Sequence, residues 1–147
     1  MKDTASAGST VVDLATAREN YLAEQEKDYP NVSVKFRYAQ ALTRDEKAEN
    51  KSRGVGLLID MLDEHGINKI ECLFTLSTTY FELGDHAKCR QHCERLLRID
   101  PKHEKALNLH RCVKDTLSKD SAIGIGLAAG AVVALGIALK FLLKNKN

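Results

Sequence analysis

Residues 70–103 read IECLFTLSTTYFELGDHAKCRQHCERLLRIDPKH. Leu73, Leu76 and Tyr80 recur at helical spacing, and Cys89, Cys93, Leu96 and Leu97 do so again after a break. The break is Gly84-Asp85. Glycine there takes the left-handed conformation that stops a helix, and an aspartate in the next position caps the one that follows. Leu97-Arg-Ile-Asp-Pro101 closes the stretch, with Pro101 expected to start another helix. Two helices joined by a tight turn are therefore expected, over 69–83 and 86–99.

This pair fits the 34-residue tetratricopeptide pattern. Upstream residues keep its register. Ala39 and Leu42 stand 34 positions before Leu73 and Leu76, and Leu58, Met61 and Leu62 stand 35 before Cys93, Leu96 and Leu97. The earlier repeat is degenerate, since it lacks both the Gly-Asp turn and the closing proline. Its helices are expected over 33–44 and 51–64. Val11, Leu14, Tyr21 and Leu22 predict a leading helix over about 10–26. Ala106, Leu109 and Val113 predict a closing helix over 103–118. No segment alternates apolar and polar residues over strand length. The expected fold is all-α: a six-helix tetratricopeptide-like bundle of two repeats plus flanking helices that cap the ends.

The last residues change the setting. Ser121 to Leu139 are 19 residues without a charge. As a helix rising about 1.5 Å per residue they span roughly 28 Å, near the hydrocarbon thickness of a bilayer. A transmembrane tail anchor is expected over 120–143, with a short basic tail at 144–147. Lys140, Lys144 and Lys146 flank the span as targeting charges, and Lys140 can snorkel to the interface. Gly126 and Gly130 form a GxxxG motif, which admits self-association through the tail. A flexible arm (1–9) and a cytosolic helical domain (10–119) precede it. No apolar run follows Lys2, so no signal peptide is expected.

Of the 22 Lys and Arg and 20 Asp and Glu, residues 120–147 hold three and one, leaving 19 of each sign before them. A neutral body argues against nucleic acid, where a basic face supplies most of the affinity. Cys72, Cys89, Cys93 and Cys112 are expected as reduced thiols in a cytosolic body. No GxxxxGK[ST] or HExxH motif occurs, nothing nominates a nucleophile–base pair, and no cofactor is expected. His86, Cys89, His92 and Cys93 crowd one helix, and the first, second and fourth share a face. Zinc would suit such donors. The repeat, however, places Cys89 and Cys93 at buried helix positions, where cysteine behaves as a small hydrophobe, so no metal site is expected. Thr43 to Arg53 carries mixed charges and is expected to be a solvated inter-helix turn.

Two imperfect repeats, a leading and a closing helix, and a Gly/Ala-rich anchor together resemble the mitochondrial fission 1 protein family. The resemblance covers about 11–147. It is carried by Phe36-Arg-Tyr-Ala-Gln-Ala-Leu42, Gly54-Val-Gly-Leu-Leu58, Tyr80 to Gly84, Leu96 to Pro101, and Lys119-Asp120 before the tail. It implies a cytosol-facing receptor on the mitochondrial outer membrane, and on peroxisomes, that recruits a dynamin-related GTPase or its adaptor proteins to promote fission. It implies no enzyme activity. It also implies a partner-binding groove, whose matching residues here are Tyr38, Leu42, Leu76 and Leu109, and an N-terminal arm that modulates access. Two features depart from the family pattern: the polar start MKDTASAGS, and Cys89 with Cys93 where an alanine and a larger apolar residue are common. The competing functions are a tail-anchored co-chaperone, with Phe74 and Thr78 at two clamp positions for acidic chaperone tails, and a membrane-held enzyme resting on the His/Cys cluster alone.

Overall fold

The computed structural model describes residues 13–123, with side chains as far as Lys119. Six α-helices occur among these residues, and no strand: α1 (Leu14–Gln25), α2 (Val32–Arg44), α3 (Ala48–Met61), α4 (Lys69–Glu82), α5 (His86–Ile99) and α6 (Glu104–Ile123). They form two compact units, Met1–Ile67 and Asn68–Asn147. The expected arm lies outside the described residues. So do Gly126, Gly130 and Leu139 of the anchor, and Lys140, Lys144 and Lys146. Ser121 falls in the last turn of α6. Among the described residues no helix is long and apolar enough to cross a membrane.

Side-chain acceptors start most of the helices. Asp13, Asn31, Asn68 and Asp85 each accept a hydrogen bond from a first-turn amide, at 2.8, 2.9, 3.1 and 3.2 Å. Such a cap satisfies one of the four orphan N–H groups and is worth about 1 kcal/mol. At the end of α4, Gly84 has φ +84°. The Asp85 amide donates to the Tyr80 carbonyl at 2.9 Å, and the Gly84 amide to Phe81 at 3.0 Å. This is a Schellman closure, which needs the left-handed residue that glycine supplies.

In the first unit α2 packs against both α1 and α3. Ala17, Tyr38, Ala41 and Leu42 form a buried cluster, with Leu14, Tyr21 and Leu57 against it. Helix α3 meets α2 at Gly54. A Cβ there would lie 2.8 Å from the Ala39 carbonyl oxygen and 2.7 Å from Thr43 Cγ2. In the second unit α5 packs against both α4 and α6. Cys72, Leu73, Leu76, Phe81, Cys89, Cys93, Leu96, Leu109 and Val113 are all within 1% of complete burial. Each buried leucine or phenylalanine contributes about 1.5–3 kcal/mol from desolvation.

Three expectations need correction. The charged run 43–53 is mostly helix: α2 continues to Arg44 and α3 starts at Ala48. The reason is Lys51, which is buried and donates from Nζ to the Thr43 carbonyl at 2.8 Å, closing the end of α2. Asp45 completes the short turn by accepting from the Lys47 amide (3.2 Å) and from Asn50 Nδ2 (2.8 Å). Pro101 does not start α6. It sits in the preceding turn, and His103 does the capping: its Nδ1 accepts from the Ala106 amide at 3.1 Å. Finally, α6 does not stop at 118 but runs on to Ile123.

Candidate functional site

The groove residues expected from the sequence are packing residues in this structure. Leu42, Leu76 and Leu109 are no more than 1% exposed, and Tyr38 is 5% exposed. The Tyr38 ring stacks on Tyr21 at 4.8 Å and 18°. Tyr38 and Leu42 belong to the first unit, Leu76 and Leu109 to the second. Of the two clamp positions, Phe74 lies against the His103 ring at 5.3 Å. Thr78 donates its hydroxyl to carbonyls of its own helix, at 3.1 Å to Phe74 and 3.0 Å to Thr75.

The His/Cys cluster resolves into an interior face and an exterior residue. His86, Cys89 and Cys93 are buried, and His86 packs edge-on against Phe81 at 4.9 Å and 70°. His92 instead stacks beside Tyr80 at 5.1 Å, with Nδ1 2.7 Å from the Lys88 carbonyl. Among the described residues no three His, Cys, Asp or Glu side chains come together as a metal site. A hydrogen bond with Cys93, and then burial, push the Cys89 thiol up. Burial and the neighbouring Glu71 push Cys72 up to about 11. A thiol needs its anion to act as nucleophile or ligand, so Cys72 and Cys89 are held in the unreactive form. The hydrogen bond with Cys89 pushes the fully buried Cys93 the other way.

A polar cluster sits on the outside of the second unit. Glu94 on α5 accepts from Arg90 Nε at 3.0 Å and lies 3.0 Å from His110 Nε2 on α6. The hydrogen bond with His110, and then that with Arg90, hold the Glu94 carboxyl below its ordinary value. The arrangement ties two helices together.

The first unit has an open concavity. A cleft of about 300 Å³ lies between α1 and α2, lined by Ala17, Asn20, Ala23, Glu24, Lys27, Val34 and Arg37. Glu24 is engaged on both oxygens: Oε1 accepts from the Asn31 amide at 2.7 Å, and Oε2 from Lys27 Nζ at 2.8 Å. The hydrogen bond from Lys27, then that from Asn31, keep the Glu24 carboxyl ionised below the usual range. These bonds also hold the turn between α1 and α2 in place. Sequence reading missed this cleft, because its residues come from two helices and match no motif.

The described residues form a helical scaffold. The family described as the Fis1 C-terminal tetratricopeptide repeat matches residues 70–122. The mitochondrial fission 1 protein of Yarrowia lipolytica is 32% identical over 114 residues, 78% of this chain and 73% of the relative. That of Tuber borchii is 30% identical over 125 residues, covering 85% and 79%. The crystal structure of Fis1 from Saccharomyces cerevisiae aligns with a TM-score of 0.68 at 21% identity, over 75% of this chain and 84% of that one. Yeast Fis1 in complex with an Mdv1 fragment, containing N-terminal extension and coiled-coil domains, aligns at 0.66 and 21%, over 74% and 84%. The two relatives at 32% and 30% identity, each matched over more than two thirds of its length, show that this chain belongs to the mitochondrial fission 1 protein family.

Proposed function

We propose that this chain is a membrane-anchored adaptor that recruits the organelle-division machinery to the mitochondrial outer membrane. Family membership at 32% identity over 78% of the chain is the observation that carries the reading. The helical domain faces the cytosol. The uncharged run 121–139 supplies the tail anchor, and Lys140, Lys144 and Lys146 its basic flank. The recruited partner is a dynamin-related GTPase, reached directly or through an adaptor protein. A relative's solved complex with an Mdv1 fragment supports the adaptor route. The GTPase performs the mechanical work, and this chain contributes binding and position. Peroxisomes are a second site of action, because the same kind of tail serves both membranes. Tyr38, Leu42, Leu76 and Leu109 act beneath the surface a partner meets, by setting the spacing of the helices that present it. The GxxxG motif adds self-association in the membrane.

The test compares the full chain, tagged at its N-terminus, with a version ending at Lys119. Mitochondrial signal for the first and diffuse signal for the second is the expected result. Deleting the chain should elongate mitochondria and reduce GTPase foci on them. Unchanged organelle shape and GTPase recruitment would end this reading.

A further inference from the structure

The α1–α2 cleft has chemistry left unused by the fold. Glu24 and Lys27 neutralise each other at 2.8 Å. Arg37 is different. It is exposed, and among the described residues it makes no hydrogen bond or ion pair. Asn20 is likewise exposed and uncommitted among them. Among the described residues the cleft therefore offers one guanidinium without a charge partner and one amide, beside the apolar side chains of Ala17, Ala23 and Val34.

The charge around the cleft narrows what fits. Residues 1–67 carry nine Lys and Arg against twelve Asp and Glu, a net of −3. A polyanion such as a nucleic acid or an anionic membrane surface is repelled by that unit as a whole. A phosphate dianion would sit beside the ionised Glu24 carboxylate with a single free cation to offset it. A lone carboxylate matches better. The guanidinium fork accepts it in plane with two parallel hydrogen bonds. Ala17, Ala23 and Val34 beside it give an apolar side chain a surface to pack on, so that one contact gives orientation and the other burial.

We propose that this cleft docks a peptide segment of a partner protein through an Asp or Glu side chain paired with Arg37, with the neighbouring apolar side chain seated on Ala17, Ala23 and Val34. Asn20 holds the peptide backbone alongside. The inference rests on the adaptor reading and adds to it the chemistry of the partner. Lys27 and Glu24 serve as positioning residues: their pair and the Glu24–Asn31 bond fix the turn that brings Val34 and Arg37 opposite α1.

The test uses the full chain in lipid nanodiscs and a random dodecapeptide display library, with wild type, Arg37→Glu and Arg37→Gln screened in parallel. Peptides selected by wild type should be enriched in an acidic residue adjacent to Leu, Val or Ile. The best of them, synthesised, should bind Arg37→Gln about tenfold more weakly or worse, the loss expected for a hydrogen-bonded charge contact. Replacing its acidic residue with lysine should abolish binding to wild type and restore it to Arg37→Glu. Because Arg37 is exposed, both variants should keep the wild-type circular dichroism. If Arg37→Glu does not, the same comparison is made with Arg37→Gln and Asn20→Leu. Selected peptides without an acid, peptides indifferent to Arg37, a failed charge swap, or no selected peptide at all would each overturn the proposal. Failure here with fission still lost on deletion removes the cleft and leaves the adaptor. Success here with fission intact on deletion does the reverse.

Discussion

Gly54 and Gly56 stand two residues apart in the same helix, yet alanine should act on them in opposite directions. An interior helical glycine costs about 1 kcal/mol relative to alanine, through backbone entropy. At Gly56 an added Cβ meets nothing within 4 Å, so Gly56→Ala should stabilise by about 0.5–1 kcal/mol. At Gly54 it meets Thr43 Cγ2 at 2.7 Å, the Ala39 carbonyl oxygen at 2.8 Å and Leu42 Cβ at 3.0 Å. Thr43 could rotate, but the other two atoms are fixed to the α2 backbone. The carbonyl oxygen alone lies about 0.6 Å inside ordinary contact (2.8 against 3.4 Å). Helix α3 must back away by that much along the face that buries Leu42, Leu58 and Met61. Overpacking of this kind costs about 1–3 kcal/mol, and a backbone obstacle puts it at the upper end. After the propensity gain, Gly54→Ala should destabilise by about 2 kcal/mol. The two variants should thus differ by about 3 kcal/mol, roughly a hundredfold in the folding equilibrium. Urea titration of the chain ending at Lys119, followed by far-ultraviolet circular dichroism, reads this as midpoints displaced to either side of wild type. A Gly54→Ala protein as stable as Gly56→Ala would refute the close approach of α2 and α3 at this point.

Other variants probe the remaining features. Lys51→Met strips the Thr43 carbonyl of its buried donor and should cost about 1–3 kcal/mol in the same titration; a neutral result would mean that water replaces the amine. Gly84→Ala places a Cβ at φ +84° and should cost about 1–2 kcal/mol, with Gly84→Asn costing less because asparagine tolerates that region; equal losses would point away from the left-handed turn. Iodoacetamide at neutral pH should label the half-buried Cys112 well before Cys72, which burial pushes up to about 11, and before the fully buried Cys89; early labelling of Cys72 in the folded chain would contradict this. Since His110 and Arg90 hold Glu94 low, its contribution is complete above the unfolded carboxylate value of about 4.3 and disappears as pH falls through the lower folded value. The melting-temperature gap between wild type and Glu94→Gln should therefore close only in acid, and a gap that widens there would reverse the assignment.

The second repeat was readable because its local signals agree. Gly84 and Asp85 stop one helix and start the next by the chemistry their residue types announce, and the observed bounds of α4 and α5 follow. The first repeat was harder. Lys47 to Arg53 looks like a solvated run because lysine is ordinarily exposed. Only the fold shows that Lys51 is drawn inward by a carbonyl at the end of α2. His103 was invisible for a related reason: imidazole is not among the usual caps, and its role depends on Nδ1 facing the Ala106 amide. The cleft lay further out of reach. Asn20 and Arg37 come from separate helices, and the Tyr21–Tyr38 stack that holds those helices together carries no sequence signature of its own.

The length of α6 has a mechanical consequence. Its helix runs without interruption from Glu104 to Ile123, past the start of the uncharged run at Ser121. The unit that buries Leu109 and Val113 and the first residues of the uncharged run thus share one continuous helix axis, with no break at which one could turn against the other. Each residue inserted near Lys119 would turn the unit by about 100° and lift it by about 1.5 Å. One, two or three inserted alanines would therefore set its surfaces at three different angles about the α6 axis relative to Ile123.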